Sequence, residues 1–303
     1  MSKVHTLDLK FRGMAGTIAA FLVECGAGEL ALVETGPGST LENLLVGIRE
    51  AGFDPGDVKH VLVTHVHLDH AGAAGWWAQK QGAKVYAHPR AVGHLMDPTK
   101  LLGSAKMVYG ERMEELWGEM LPVPEEQMVT VEDGGRIEIG ETVFVAHDTP
   151  GHARHHHVFE IEGEGVCFTG DVAGVRLQGQ NYISVAAAPP QFDPVAYEAS
   201  ILKLQAMKFK RLYLTHFGAL DDVAAHMEME RLRVAQVHQT VGSFLRAGYD
   251  AEKVRRSYEQ SERMFAGLQG VVRDADWDLY QCANHTDMGA DGIALYCEKR
   301  AAG

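Results

Sequence analysis

"LVTHVHLDHAG", residues 62–72, sets three histidines and an aspartate into the six positions from His65 to His70, directly behind an apolar run. Side chains two apart on a strand share a face, so His65 and His67 present two imidazoles to one side where the strand runs out. Asp69 and His70 follow where the chain turns and approach from another direction. Imidazole and carboxylate are the donors a borderline cation such as zinc prefers. Four such groups in one tight turn suit two ions better than one.

Two ions need further ligands, and the sequence offers them where other strands end. "DTPGHARHH" (148–156) supplies His152 after the strand "TVFVAHD", with Pro-Gly forcing the turn. "VCFTGDVAG" (166–174) supplies Asp171, and "RLYLTHFG" (211–218) supplies His216. Each candidate closes an apolar strand and opens a glycine-containing loop. A single histidine is more often a satisfied core or surface residue than a ligand; seven donors in this arrangement are a different matter.

Other residues invite a functional reading and have a plainer one. In the run His155, His156 and His157, strand alternation sends at least one ring to solvent or to the other face, and His156 is the secondary candidate for a substrate contact. His88 and His94 read as structural, and His147 as core or as support behind a ligand. Tyr182, in "GQNYISVAAAPP" (179–190), is a second candidate substrate contact because binding residues favour loops. Tyr109, Met113 and Trp117 would line a pocket or a dimer contact, although at helical spacing such a stripe is ordinarily buried core. Cys167 reads as core.

The motif His65-x-His67-x-Asp69-His70, followed by His152, Asp171 and His216, resembles the metallo-β-lactamase superfamily in order and spacing over residues 15–218. The resemblance implies an α/β fold, a four-layer αββα sandwich, with a dinuclear metal centre at one edge of its two sheets. It places His65, His67 and His152 on the first metal and Asp69, His70 and His216 on the second, with Asp171 bridging. An aspartate at 171, where true β-lactamases carry a cysteine, looks like the hydrolase branch of glyoxalase II, lactonases and RNA-processing enzymes. Histidine at 67 argues against the flavodiiron branch, which has a glutamate there.

The implied chemistry is hydrolysis by a hydroxide bridging two divalent ions about 3.5–4 Å apart. Asp171 would set the metal separation and Asp69 would orient the hydroxide. An all-nitrogen and oxygen donor set favours zinc, with manganese or iron next. The expected substrate is a small-molecule ester, lactone, thioester or phosphoester. No glyoxalase II substrate segment follows His216, and "DVAGV" (171–175) lacks the tyrosine that acyl-homoserine lactonases place after the bridging aspartate. The alternatives are a mononuclear iron persulfide dioxygenase, which would leave Asp69, His70 and His216 unused, and a non-catalytic metal-binding scaffold.

The bulk properties agree with this reading. An apolar content of 46% in 303 residues allows a sizeable core, and four scattered cysteines without CxxC spacing suit reduced thiols in a cytoplasm. A net charge of −13 counts against nucleic acid as a partner. No apolar run reaches the roughly 18 residues of a membrane helix, and "MAGTIAAFLV" (14–23) reads as a strand rather than a signal core.

The pattern predicts strand, turn, strand over 4–35. A Ser39–Glu42 capping box precedes a helix over 41–51, then come the strand "KHVLVTH", a helix over 72–81 and the strand "AKVYAH". Residues 90–128 read as a helical insertion. Strands grouped around helices also suggest a layered α/β sandwich. A metallo-β-lactamase domain over 1–218 is expected, with a helical C-terminal extension over 219–303 containing helices at 222–246, 251–268 and 274–284. A homodimer through the helical additions is the expected assembly.

Overall fold

The structure is a computed structural model describing residues 2–302. The chain divides into two compact units, residues 2–148 with 155–170 and residues 149–154 with 171–302.

In the first unit, one sheet runs β1 (Lys3–Asp8), β2 (Ala19–Glu24), β3 (Leu30–Val33), β4 (Val58–Leu62), β5 (Lys84–Ala87) and β6 (Met128–Thr130), in that order. The first three strands pair antiparallel and the last three join parallel. Parallel strands need crossovers, supplied by α1 (Leu41–Glu50), α2 (Leu68–Ala71), α3 (Ala74–Gln81), α4 (Pro89–Met96), α5 (Thr99–Tyr109) and α6 (Met113–Trp117). A second, antiparallel set contains β7 (Arg136–Ile139), β8 (Thr142–Asp148), β9 (His157–Ile161) and β10 (Val166–Phe168). Phe21 of β2 meets Phe168 of β10 at 5.4 Å between ring centroids, so the two sheets pack face to face. "AAFLV" in β2 is buried on both faces, which is why it reads as a continuous apolar run.

Three local expectations change. Residues 4–35 hold three strands, because "HTLDL" pairs along β2. The Ser39 capping box does not form: Thr40 precedes α1, and Ser39 Oγ instead donates to the Leu116 carbonyl at 2.6 Å. The helix expected from residue 72 starts at Ala74, with the separate turn α2 ahead of it. In the insertion, α5 buries none of its residues fully. Trp117 stacks on Phe11 at 5.4 Å and takes Tyr109 edge-on at 5.1 Å, which makes a half-buried aromatic layer rather than a core stripe.

The second unit contains α7 (Pro194–Met207), the antiparallel pair β11 (Arg211–Leu214) and β12 (Gly218–Leu220), and four further helices. These are α8 (Val223–Arg246), α9 (Ala251–Leu268), α10 (Asp274–Ala283) and α11 (Thr286–Ala302). Asp250 caps α9 by accepting from Lys253 N at 2.8 Å, and Asp193 caps α7 through Val195 N and Ala196 N. The unit's core gathers Val175, Leu177, Tyr182, Ala266, Val271, Trp277 and Tyr280. Among the described residues no helix is long and apolar enough to cross a membrane.

Candidate metal centre

Each unit carries part of the expected ligand set. In the first, the chain leaves β4 extended and enters α2 at His67, whose carbonyl accepts from His70 N and Ala71 N at 3.0 and 2.9 Å. The strand expected to run to His65 ends at Leu62, so His65 lies in the bend that follows it, His67 sits on extended backbone, and Asp69 and His70 belong to the first helical turn. His65 Nε2 lies 3.0 Å from His67 Nδ1, and the His65 and His70 rings are 4.0 Å apart. His70 Nε2 is 3.7 Å from Asp69 Oδ2. His65 and His70 are fully buried, while His67 and Asp69 are partly exposed.

Behind them stands Glu34, buried at 1% exposure. Its Oε1 faces His70 Nδ1 at 3.2 Å and also accepts from Thr64 Oγ1. A carboxylate on one ring nitrogen fixes the imidazole and leaves Nε2 as the ligand atom. Glu34 was missed in the sequence; its only signal there is an acid closing the apolar strand of "ALVETG" (31–36).

The three consecutive histidines depart from expectation, since His155, His156 and His157 are all buried. Strand β9 begins only at His157, so alternation does not govern the two before it. The rings of His156 and His155 lie 4.9 and 6.1 Å from that of His65. His157 Nε2 donates to the Val63 carbonyl at 3.1 Å, and burial, with His88 beside it, pushes its imidazole down to about 3. His88 is structural as expected: Nδ1 accepts from Arg90 N at the head of α4, and Nε2 pairs with Asp148 at 3.0 Å. His147 pairs with Glu160 on the neighbouring strand at 2.8 Å.

In the second unit, His152, Asp171 and His216 are all buried. His152 Nδ1 donates to the Ala186 carbonyl at 2.8 Å, which turns Nε2 towards Asp171 Oδ2 at 3.3 Å. The other oxygen, Oδ1, lies 3.5 Å from His216 Nε2. One carboxylate thus offers one oxygen to each of two imidazoles, as a bridging ligand would. Gly151 permits the turn before His152: at φ 141 it sits so close to α7 that a Cβ would come within 2.2 Å of Tyr197 Cα.

Tyr182, expected as a substrate contact, is a core residue of the C-terminal helices at 1% exposure. Its hydroxyl donates to Glu262 at 2.6 Å, and its ring packs against Tyr280 at 4.8 Å. Cys167 is core as expected, and burial pushes its thiol well above the ordinary range.

The donor set fits metal ions. It is nitrogen and oxygen throughout, and the non-ligand nitrogens of His70 and His152 are held by a carboxylate and a carbonyl. Buried carboxylates converging on imidazoles are expensive unless paired or coordinated.

The family model of the metallo-β-lactamase superfamily matches residues 13–216, a span that includes all seven candidates. The chain belongs to the metallo-β-lactamase superfamily. Among its relatives is the metallo-β-lactamase fold-containing protein ST1585 of Sulfurisphaera tokodaii, 26% identical over 207 residues, which are 67% of this chain and 74% of that protein. The N-acyl homoserine lactonase AttM of Agrobacterium fabrum shares 61% identity over 28 residues, a local match covering 9% of this chain and 11% of that enzyme. The solved structure of a metallo-β-lactamase family protein from Thermus thermophilus superposes with a TM-score of 0.68 at 21% identity, covering 99% of this chain and 94% of the other. Identity that low establishes the fold alone. The mixed α/β class is therefore a metallo-β-lactamase fold with a helical C-terminal extension.

Proposed function

We propose that this member of the superfamily is a dinuclear metal-dependent hydrolase acting on an ester, lactone, thioester or phosphoester of a small molecule. The observation that carries the reading is the grouping of ligand-type atoms. His65, His67, Asp69 and His70 crowd together in the first unit, and in the second His152 and His216 each face one oxygen of Asp171. Superfamily membership and this His/Asp clustering fit a metal-dependent hydrolase. Zinc suits the donor set best, with manganese or iron as alternatives.

When bound, two such ions would supply Lewis acidity and bring the pKa of coordinated water towards about 7, so no serine or cysteine nucleophile is required. The chain's own contribution is orientation and charge. Asp171 offers an oxygen to each of two imidazoles, the Glu34 contact and the Ala186 carbonyl fix two of the imidazoles, and Asp69 would orient the attacking water. In this reading the metallo-β-lactamase domain spans residues 1–218 with the insertion at about 90–128, and the helices after 219 form the extension. Four free cysteines support a reducing, cytoplasmic setting, and a homodimer remains the proposed assembly.

The test is metal content of the purified chain measured alongside hydrolysis of lactones, thioesters and phosphodiesters. About two ions per chain with turnover is the expected result. His67→Ala and Asp171→Ala should abolish turnover while circular dichroism shows the fold retained. Wild-type rates in either variant would sink the mechanism, and one iron per chain without hydrolysis would move the protein to the persulfide dioxygenase class.

A further inference from the structure

The C-terminal extension does more in this unit than cover a surface. The loop 171–174, "DVAG", is gripped from two helices. From α7, the buried Tyr197 donates its hydroxyl to the Asp171 carbonyl at 2.6 Å. From the first turn of α8, the buried His226 donates from Nε2 to the Ala173 carbonyl at 2.8 Å. One helical turn later, Glu230 packs against Gly174, which holds φ 69, so closely that a Cβ there would sit 2.7 Å from its Oε2. Burial pushes the Glu230 carboxyl up to about 8.

The same loop continues to a second candidate ligand. Arg176 N donates to the His216 carbonyl at 2.7 Å, and Phe217 N donates back to the Arg176 carbonyl at 3.1 Å. The Arg176 guanidinium in turn reaches Asp222, just before α8, at 3.0 Å. The placement of Asp171 and of His216 therefore depends on where the start of α8 stands.

We infer that His226 is a positioning residue of the metal centre: by holding the Ala173 carbonyl it fixes where the Asp171 carboxylate stands relative to His152 and His216. The inference rests on the proposed role of Asp171 as a ligand. His226 is 55 residues beyond Asp171 and belongs to the helical extension rather than to the segment matched by the family model. The extension thereby acquires a role in the centre itself.

The experiment is titration of the metal-free full chain with Co2+, read by visible absorption, with thermal unfolding followed in parallel. His226→Leu removes the donor and should weaken cobalt binding by about 10- to 100-fold and alter the absorption band, the usual scale for losing a partner behind a metal ligand. His226→Gln carries an N–H near the position of Nε2 and should restore most of the affinity and the band. Tyr197→Phe should move both in the direction of His226→Leu. A folded His226→Leu with wild-type affinity and spectrum overturns the inference. If Leu is not accommodated beside Glu230, the pair His226→Asn and His226→Gln decides: Asn is too short to reach the carbonyl and must weaken binding, and equal affinities overturn the inference. Asp171→Ala tests the underlying reading separately, since wild-type cobalt binding in that variant would remove Asp171 from the ligands whatever His226 does.

Discussion

Glu262→Gln should destabilise the C-terminal helices severely, although it changes neither the size nor the shape of the side chain. Glu262 of α9 and Arg233 of α8 form an ion pair whose side chains are 4% and 1% exposed. The guanidinium also donates to the Ile183 carbonyl at 3.2 Å and to Gln236 at 2.7 Å, and lies 4.2 Å from the centre of the Phe265 ring. Tyr182 donates to the same Glu262 oxygen that receives Arg233. Neutralising the carboxylate leaves Arg233 buried with no counter-charge, and breaking a buried pair from one side costs about 3–5 kcal/mol. Glutamine keeps an acceptor oxygen, so the lower end, about 3 kcal/mol, is expected. For a region of this size that lowers Tm by roughly 6–12 °C. The assay is thermal unfolding by far-UV circular dichroism, with the double variant Arg233→Met/Glu262→Leu alongside. Removing both charges together should recover most of the loss, because an apolar pair of similar volume avoids the desolvation cost. A Tm unchanged in Glu262→Gln, or a double variant as unstable as the summed single variants, would refute the reasoning.

Tyr182→Phe should cost about 1.5–3 kcal/mol, the scale of a hydrogen bond to a charged group, and leave kcat/KM ratios across a substrate panel unchanged; a changed profile at constant Tm would return that ring to the substrate site. Acid should destabilise the fold before the carboxylates titrate. His157 and His226 are pushed from 6.5 down to about 3 and about 4, chiefly by burial. The unfolded chain takes up these protons first, so their contribution is complete above about pH 6.5 and is lost as the pH falls towards the folded values. His157→Gln, which keeps a donor for the Val63 carbonyl without titrating, should flatten this slope by up to about 1.4 kcal/mol per pH unit. Denaturant unfolding between pH 6 and 4 checks this, and an unchanged slope would exclude His157 as a source.

The class of fold and the candidate ligand groups were legible in the sequence, because both are written in short-range features. The compact run His65–His70 follows directly after β4, and Pro-Gly or Gly turns mark where His152, Asp171 and His216 leave their strands. The limits of α8 and α9 were legible for the same reason: apolar periodicity and the Asp250 cap act within a few residues. Helix α11 was not, since "TDMGADGIALYCEK" (286–299) has no clear apolar face and two glycines, one of them backing onto the Ala187 carbonyl.

What the tertiary structure decided is the choice among partners distant in sequence. Glu34 holds His70 from 36 residues away, and His226 holds the Asp171 loop from 53. Ser39 abandons its local cap for the Leu116 carbonyl, and Tyr182 points its hydroxyl at Glu262 rather than at a substrate. A buried polar atom must find a partner somewhere, and which one it finds is set by packing over the whole core. Local propensity placed the candidate ligands just beyond the ends of strands; long-range burial settled what stands behind them.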